Sequence, residues 1–300
     1  MKQHWRREEP QFFNAFALPW ETGVGPALTH DAESRLVSRD GENGSATFML
    51  RIPPGWRHTA RADEGSAEIF VLEGDLAAEG RSVGCTGFVA VPQGCGQVEL
   101  SSQGGCQALL WWNTTLPVQH CYDGGQLQVR KIWQEPWTAS VMPGLQPGIL
   151  HKSLRTPDPH GGLMHGGPGG MIRLIMMAPG FGETRQEVHH DCWEEMLWLA
   201  GDFLMPQRGL HAAGSVLSNP PELKHGPLLT VKGNIQILHC NAPMGADFHF
   251  VDGGPQIQEA FQDGGSWLTE THHTDWAELP YLHIGAAGSS ELAYAPESPG

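Results

Sequence analysis

Apolar residues in this chain come in short runs, each cut off by glycine, proline or asparagine. Ala46–Ile52 (ATFMLRI) ends at Pro53-Pro54-Gly55, and Ile69–Leu72 ends at Glu73-Gly74-Asp75. Phe88–Val91 ends at Pro92, and Ala108–Trp112 ends at Asn113. Short β-rich runs with turn residues at their ends predict strands, and a close succession of them predicts an all-β sandwich or barrel.

The same series recurs further on. Met171–Met177 before Ala178-Pro179-Gly180 repeats the Ala46 run, and EEMLWLAGDF (Glu194–Phe203) repeats AEIFVLEGDL (Ala67–Leu76). SVLSNPP (Ser215–Pro221) repeats FVAVPQ (Phe88–Gln93), and IQILHCN (Ile235–Asn241) repeats QALLWWN (Gln107–Asn113). The offsets hold at 125 for Gly55 and Gly180, 127 for Gly74 and Gly201, and 128 for Asn113 and Asn241. Trp20 and Trp137 are 117 apart, so the second copy carries about eight extra residues before Met171, around HGGLMHGGPGG, a candidate lid. Repeats this long indicate a duplicated domain and not a solenoid. The division expected is 1–128 for the first domain, 129–254 for the second, and 255–300 for an arm packing across a barrel.

Composition narrows the function classes. The 18 basic and 33 acidic residues give a net charge of -15, which repels phosphate backbones and anionic membrane surfaces. Nucleic acid and membrane are therefore not expected partners. Glycine (39) and proline (23) are abundant enough to suggest disorder, but 11 Trp and 11 Phe argue for packed cores. Six cysteines without a CxxC pair read as buried thiols, and MKQHWRREEPQFF lacks the apolar run of a secretory signal. A cytoplasmic setting is the default expectation.

Candidate chemistry concentrates between Gly182 and His225. Adjacent histidines His189 and His190 precede Glu194, and His225 follows a Pro-Pro step. Imidazole and carboxylate at such spacings can form a metal site if strands bring them together. Side chains alternate along a strand. A regular strand turns His190 inward and His189 out, leaving His190, Glu194 and His225 as ligands. A bulge would add His189 as a fourth. Glu194 pointing inward carries Met196 and Trp198 with it as candidate pocket walls. His239 is a candidate second-layer or proton-transfer group.

These residues resemble the two motifs of the cupin superfamily. The first motif is glycine, five residues, His-x-His, three or four residues, Glu, six residues, glycine. Gly182, His190, Glu194 and Gly201 match it, with Val188 in place of the first histidine. Gly214, Pro220 and His225 match the second motif, with Glu222 in place of its last glycine. The flanking residues are similar to the cupin domain of zinc-binding anti-sigma factors. The resemblance covers both repeats and implies a bicupin: all-β, two tandem double-stranded β-helix (jelly-roll) barrels. In the first copy the ligand positions read Arg61, Asp63, Ala67 and Gln97, with a lone His58 nearby, so that barrel is expected to be metal-free.

Two histidines and one carboxylate with open positions suit non-haem Fe(II), and Zn, Mn or Ni also fit such donors. The expected function is a metal-dependent dioxygenase acting on a small enolisable or aromatic carbonyl compound. A non-redox lyase, isomerase or cyclase is the second reading. A zinc-holding sensor or ligand-binding module is the third, although no sigma-binding helical segment is evident before Pro19. A homodimer paired through sheet edges is compatible with the fold.

Overall fold

The computed structural model describes residues 11–41, 43–61, 65–113, 125–139, 147–155, 170–188, 192–205, 208–241 and 249–251. Its elements are β-strands joined by turns and short 3-10 segments. No helix among the described residues is long and apolar enough to cross a membrane.

Two seven-stranded antiparallel sheets dominate. One runs in the order Gln128–Lys131, Gly87–Val91, Ser66–Gly74, Cys106–Asn113, Ala46–Ile52, Glu33–Arg39, Glu21–Thr22. The other runs Gln11–Asn14, Ser215–Asn219, Glu194–Gly201, Asn234–Cys240, Met171–Met177, Ile149–Arg155, Thr138–Ala139. The two orders correspond strand for strand, as the duplication requires. A four-stranded sheet closes each barrel: Trp56–Arg61, Gln97–Ser102, Leu76–Ala78, Arg81–Val83 in the first, and Gly182–Glu183, Leu228–Leu229, Phe203–Met205, Gly209–His211 in the second.

Each large sheet is buried on both faces. In Ser66–Gly74, Ala67, Ile69 and Val71 fill the first barrel, while Phe70 and Leu72 face the second large sheet. In Glu194–Gly201, Met196 and Trp198 fill the second barrel, while Leu197 and Leu199 face the first. Burial on both faces accounts for near-continuous apolar runs where a half-exposed strand would alternate.

The lead-in before Pro19 is not merely a lead-in. Gln11–Asn14 pairs with Ser215–Asn219 of the second barrel, and Gln128–Lys131 pairs with Gly87–Val91 of the first. The opening strand of each copy thus extends the sheet of the other, and Phe13 and Phe16 are buried between the sheets. The arm expected at 255–300 and the candidate lid around 160–169 lie outside the described residues.

The repeated Gly-Asp step is structural. Gly74 and Gly201 have φ of 83° and 80°, and a Cβ on either would meet a backbone oxygen at 2.1 and 2.0 Å. Only glycine fits there. The aspartates hold the turn: Asp75 accepts from the Gln103 and Gly104 amides, and Asp202 from Thr230 Oγ1 and the Val231 amide.

Candidate metal centre

Three elements converge at one end of the second barrel. Glu194 opens the strand Glu194–Gly201, and its Cα partners are Asn219 and Cys240 on the flanking strands. His225 lies in the turn that follows Ser215–Asn219. Its backbone exchanges two hydrogen bonds with Glu187, of 2.8 and 3.0 Å, and this bridge brings the strand Gln186–Val188 over the site. Position 222, where the motif expects glycine, has φ of 69° in Glu222. Its counterpart in the first copy is Gly94, at 91°. The turn requires the left-handed conformation, and here a glutamate adopts it.

The side chains then close in. His225 Nε2 lies 2.8 Å from Glu187 Oε1 and 3.2 Å from Glu194 Oε2. Ligand atoms of Glu187, Glu194 and His225 all lie within 4.8 Å of one another. His225 Nδ1 is 3.0 Å from the Leu223 carbonyl, so that nitrogen carries the proton and donates. Nε2 is thereby aimed at the two carboxylates, the arrangement of a metal-binding imidazole. Asn219 Nδ2 donates to Glu194 Oε2 at 3.0 Å and fixes that carboxylate. Burial alone would push the His225 imidazolium down. The charges of Glu187 and Glu194 and their hydrogen bonds outweigh it, and the pKa is pushed up to about 10. A pKa that high keeps the ring charged at neutral pH beside the two carboxylates.

Glu187 is absent from the donor set read in the sequence. Motif spacing places the first ligand on Val188, one residue too far. The available signal was that Glu187 and His189 share a strand phase and both carry donor atoms. With two carboxylates, a divalent ion leaves the site near neutral rather than near +1. Oxygen donors also move the set toward harder ions. His189 and His190 lie outside the described residues.

Met196 and Trp198 face the barrel interior with Met171, Leu217 and Leu238. The Trp198 ring packs at a tilt against His211, with centroids 4.6 Å apart, and against Phe203, at 4.9 Å. His239 is a correction to the pocket expected for it. Cys240 is the partner of Glu194 and faces inward, so His239, one residue earlier, faces the other large sheet. Its Nδ1 lies 3.5 Å from Glu195 Oε1, and that carboxylate accepts from Thr47 Oγ1 of the first barrel at 2.7 Å. His239 therefore belongs to the contact between barrels, against Trp193 and Trp111.

Among the described residues of the first barrel no donor cluster forms at the corresponding positions. Ala67 is packed in the apolar core, while Arg61 and Gln97 are Cα partners on adjacent strands with exposed side chains. Asp63 lies outside the described residues.

No family model and no curated protein matches this chain. Solved structures do. A Nostoc punctiforme protein named "putative dioxygenase" is 15% identical, with 82% of this chain and 88% of that one covered and a TM-score of 0.67. Escherichia coli protein Ylba is 12% identical over 85% of this chain and 97% of its own, with a TM-score of 0.52. An oxalate decarboxylase is 11% identical over 83% and 79%, with a TM-score of 0.50. Likeness at these identities shows the fold, which is that of tandem cupin barrels.

Proposed function

We propose that the second barrel holds a divalent metal and acts as a metal-dependent oxidoreductase of the dioxygenase type on a small enolisable or aromatic carbonyl compound. The observation that carries this reading is the convergence of Glu187, Glu194 and His225 within 4.8 Å, with the imidazole tautomer fixed. A two-residue period counted from Glu187 brings position 189 into phase, so His189 is the proposed fourth donor. His190 falls in phase with Val188. Fe(II) or Mn(II) suits this mixed oxygen and nitrogen set best, and Ni or Zn is admitted.

When bound, the ion would supply Lewis acidity and, as Fe(II), the capacity to activate dioxygen. The protein's own groups do the rest. Asn219 and the Leu223 carbonyl hold two of the donors in place. Methionine, leucine and tryptophan side chains make up much of the interior beneath, which supports an apolar carbonyl compound over a free sugar. The name of the Nostoc neighbour agrees with this chemistry, although the donors carry the weight.

Oxygen uptake by Fe(II)-loaded protein, with a panel of β-diketones and hydroxyaryl ketones, tests the reading. Uptake that disappears in Glu194→Gln supports it. Turnover of the same compounds under nitrogen would move the assignment to a non-redox lyase, isomerase or cyclase. Tightly held zinc with no turnover of any kind would favour a sensor.

A further inference from the structure

The first barrel has a cavity at the end where the second carries its donors. Strand register fixes the correspondence. A row across the first large sheet reads Arg39, Ala46, Trp112, Ala67, Val91. Offsets of 125, 128, 127 and 128 map the last four onto Met171, Cys240, Glu194 and Asn219, the row at the metal centre. Ala46 and Ala67 are smaller than the methionine and glutamate they match, which leaves room at this mouth. A cavity of about 320 Å³ lies there, walled by Val24, Pro26, Leu36, Phe48 and Trp112, with Arg39 among them. That is near the lower end of the size of small-molecule sites.

Both sides of the cavity are pinned. The Val24 carbonyl accepts from Thr29 Oγ1 at 2.6 Å and from Ser34 Oγ at 3.1 Å. Gly25, with φ of 102°, brings this loop against Phe48, where a Cβ would meet Cζ at 2.9 Å. On the other side Asp40 Oδ1 accepts from the Asn43 amide at 3.0 Å, and Asn43 Oδ1 from the Ser45 amide at 2.8 Å. A ligand meets walls already in place and loses little to ordering them.

Arg39 is the charged group of the lining. The other arginine of its strand, Arg35, lies over the Trp20 ring at 3.9 Å, and Arg51 is paired with Glu33 at 2.9 Å. Arg39 is exposed and enters no ion pair among the described residues. Its Cα partner is the inward-facing Ala46, so it shares the inward phase at the mouth. Charges farther than about 8 Å are largely screened at physiological ionic strength, so this cation outweighs the chain's net charge of -15 locally. Trp112 and Phe48 add aromatic surface beside it.

We propose that the first barrel binds a small aromatic carboxylate at this mouth, with the ring against Trp112 and Phe48 and the carboxylate on the Arg39 guanidinium. A planar guanidinium matches a carboxylate in two parallel hydrogen bonds. The site stands whether or not the second barrel holds a metal.

Calorimetry on the full chain tests it, with phenylacetate and phenylacetamide as probes of equal shape and different charge. The acid should bind wild type about fivefold or more tightly than the amide, because a bidentate pair in a walled site exceeds a fully solvated ion pair. Arg39→Gln should lose that preference. Ala46→Met, which brings in the residue of the other barrel, should fill the cavity and weaken both probes. Glu194→Gln, altered only in the second barrel, should bind the acid as wild type does. No acid binding tighter than about 1 mM, equal binding of acid and amide, or a preference that survives Arg39→Gln overturns the proposal. So does acid binding that Ala46→Met leaves unchanged or that Glu194→Gln abolishes. If Ala46→Met does not fold, Arg39→Gln, at an exposed position, decides alone.

Discussion

Metal binding at His225 should expel a proton even in alkaline solution. The imidazolium is held at about 10 by Glu187 and Glu194, against the effect of its own burial. At neutral pH it stands about three units below that value, so displacing the proton costs about 4 kcal/mol of metal affinity. Mn(II) is a suitable probe because it resists hydrolysis. Its dissociation constant should fall about tenfold per pH unit, hence about 30-fold between roughly pH 7.5 and 9, where ordinary histidines are already neutral. Calorimetry in two buffers of different ionisation enthalpy should count about one proton released per ion in that window. Glu187→Gln removes one of the two carboxylates that raise the pKa, so proton release should diminish there as Mn(II) binding weakens. The same linkage acts on the metal-free fold. The folded pKa lies above the ordinary value of 6.5, so the stabilisation is complete below about 6.5 and is lost as pH rises through about 10. Affinity that stays flat across the window, or heats independent of buffer, would refute the raised pKa.

Glu194→Gln, His225→Ala and His189→Ala should each leave protein with little or no metal by elemental analysis, while His190→Ala and Gln97→Ala retain it. Burial, with Arg173 nearby, pushes His151 down to about 4. The neutral ring is thus favoured in the fold, and stability present above about 6.5 should be lost as pH falls toward 4, visible as a falling urea midpoint. Glu68→Ala strands Arg155 and should cost about 3–5 kcal/mol in urea unfolding, whereas Glu68→Leu with Arg155→Met should come close to neutral. Leu199→Ala, in the layer between barrels, should cost about 2–5 kcal/mol.

The strands and the duplication were legible because burial on both faces and glycine turns are local properties of a sequence. Ala46–Ile52 and Met171–Met177 stand in the structure with the ends expected for them. Pairing is not local. Nothing in QFFN says that it completes a sheet some two hundred residues away. The site was legible at Glu194 and His225, where the motif's spacing fits. It failed at Glu187, because the motif was counted in the phase of Val188 while Glu187, the residue the structure brings to the cluster, lies in the other. His239 could be placed only with the register of Asn234–Cys240 against Glu194–Gly201, which fixes which of two neighbours turns inward. Asn219 gains its meaning from the same register, since it is the Cα partner of Glu194.

The exchange of opening strands bears on what the duplication left behind. A doubled domain usually yields two pieces that melt separately and can be lost separately. Here the first sheet has Gln128–Lys131 on its edge, the second has Gln11–Asn14, and one apolar layer lies between them. A cut between the copies severs each sheet from a strand it needs. The first barrel is therefore not a spare part that further change can delete. It serves as one wall of the other, and the chain should unfold in a single cooperative transition.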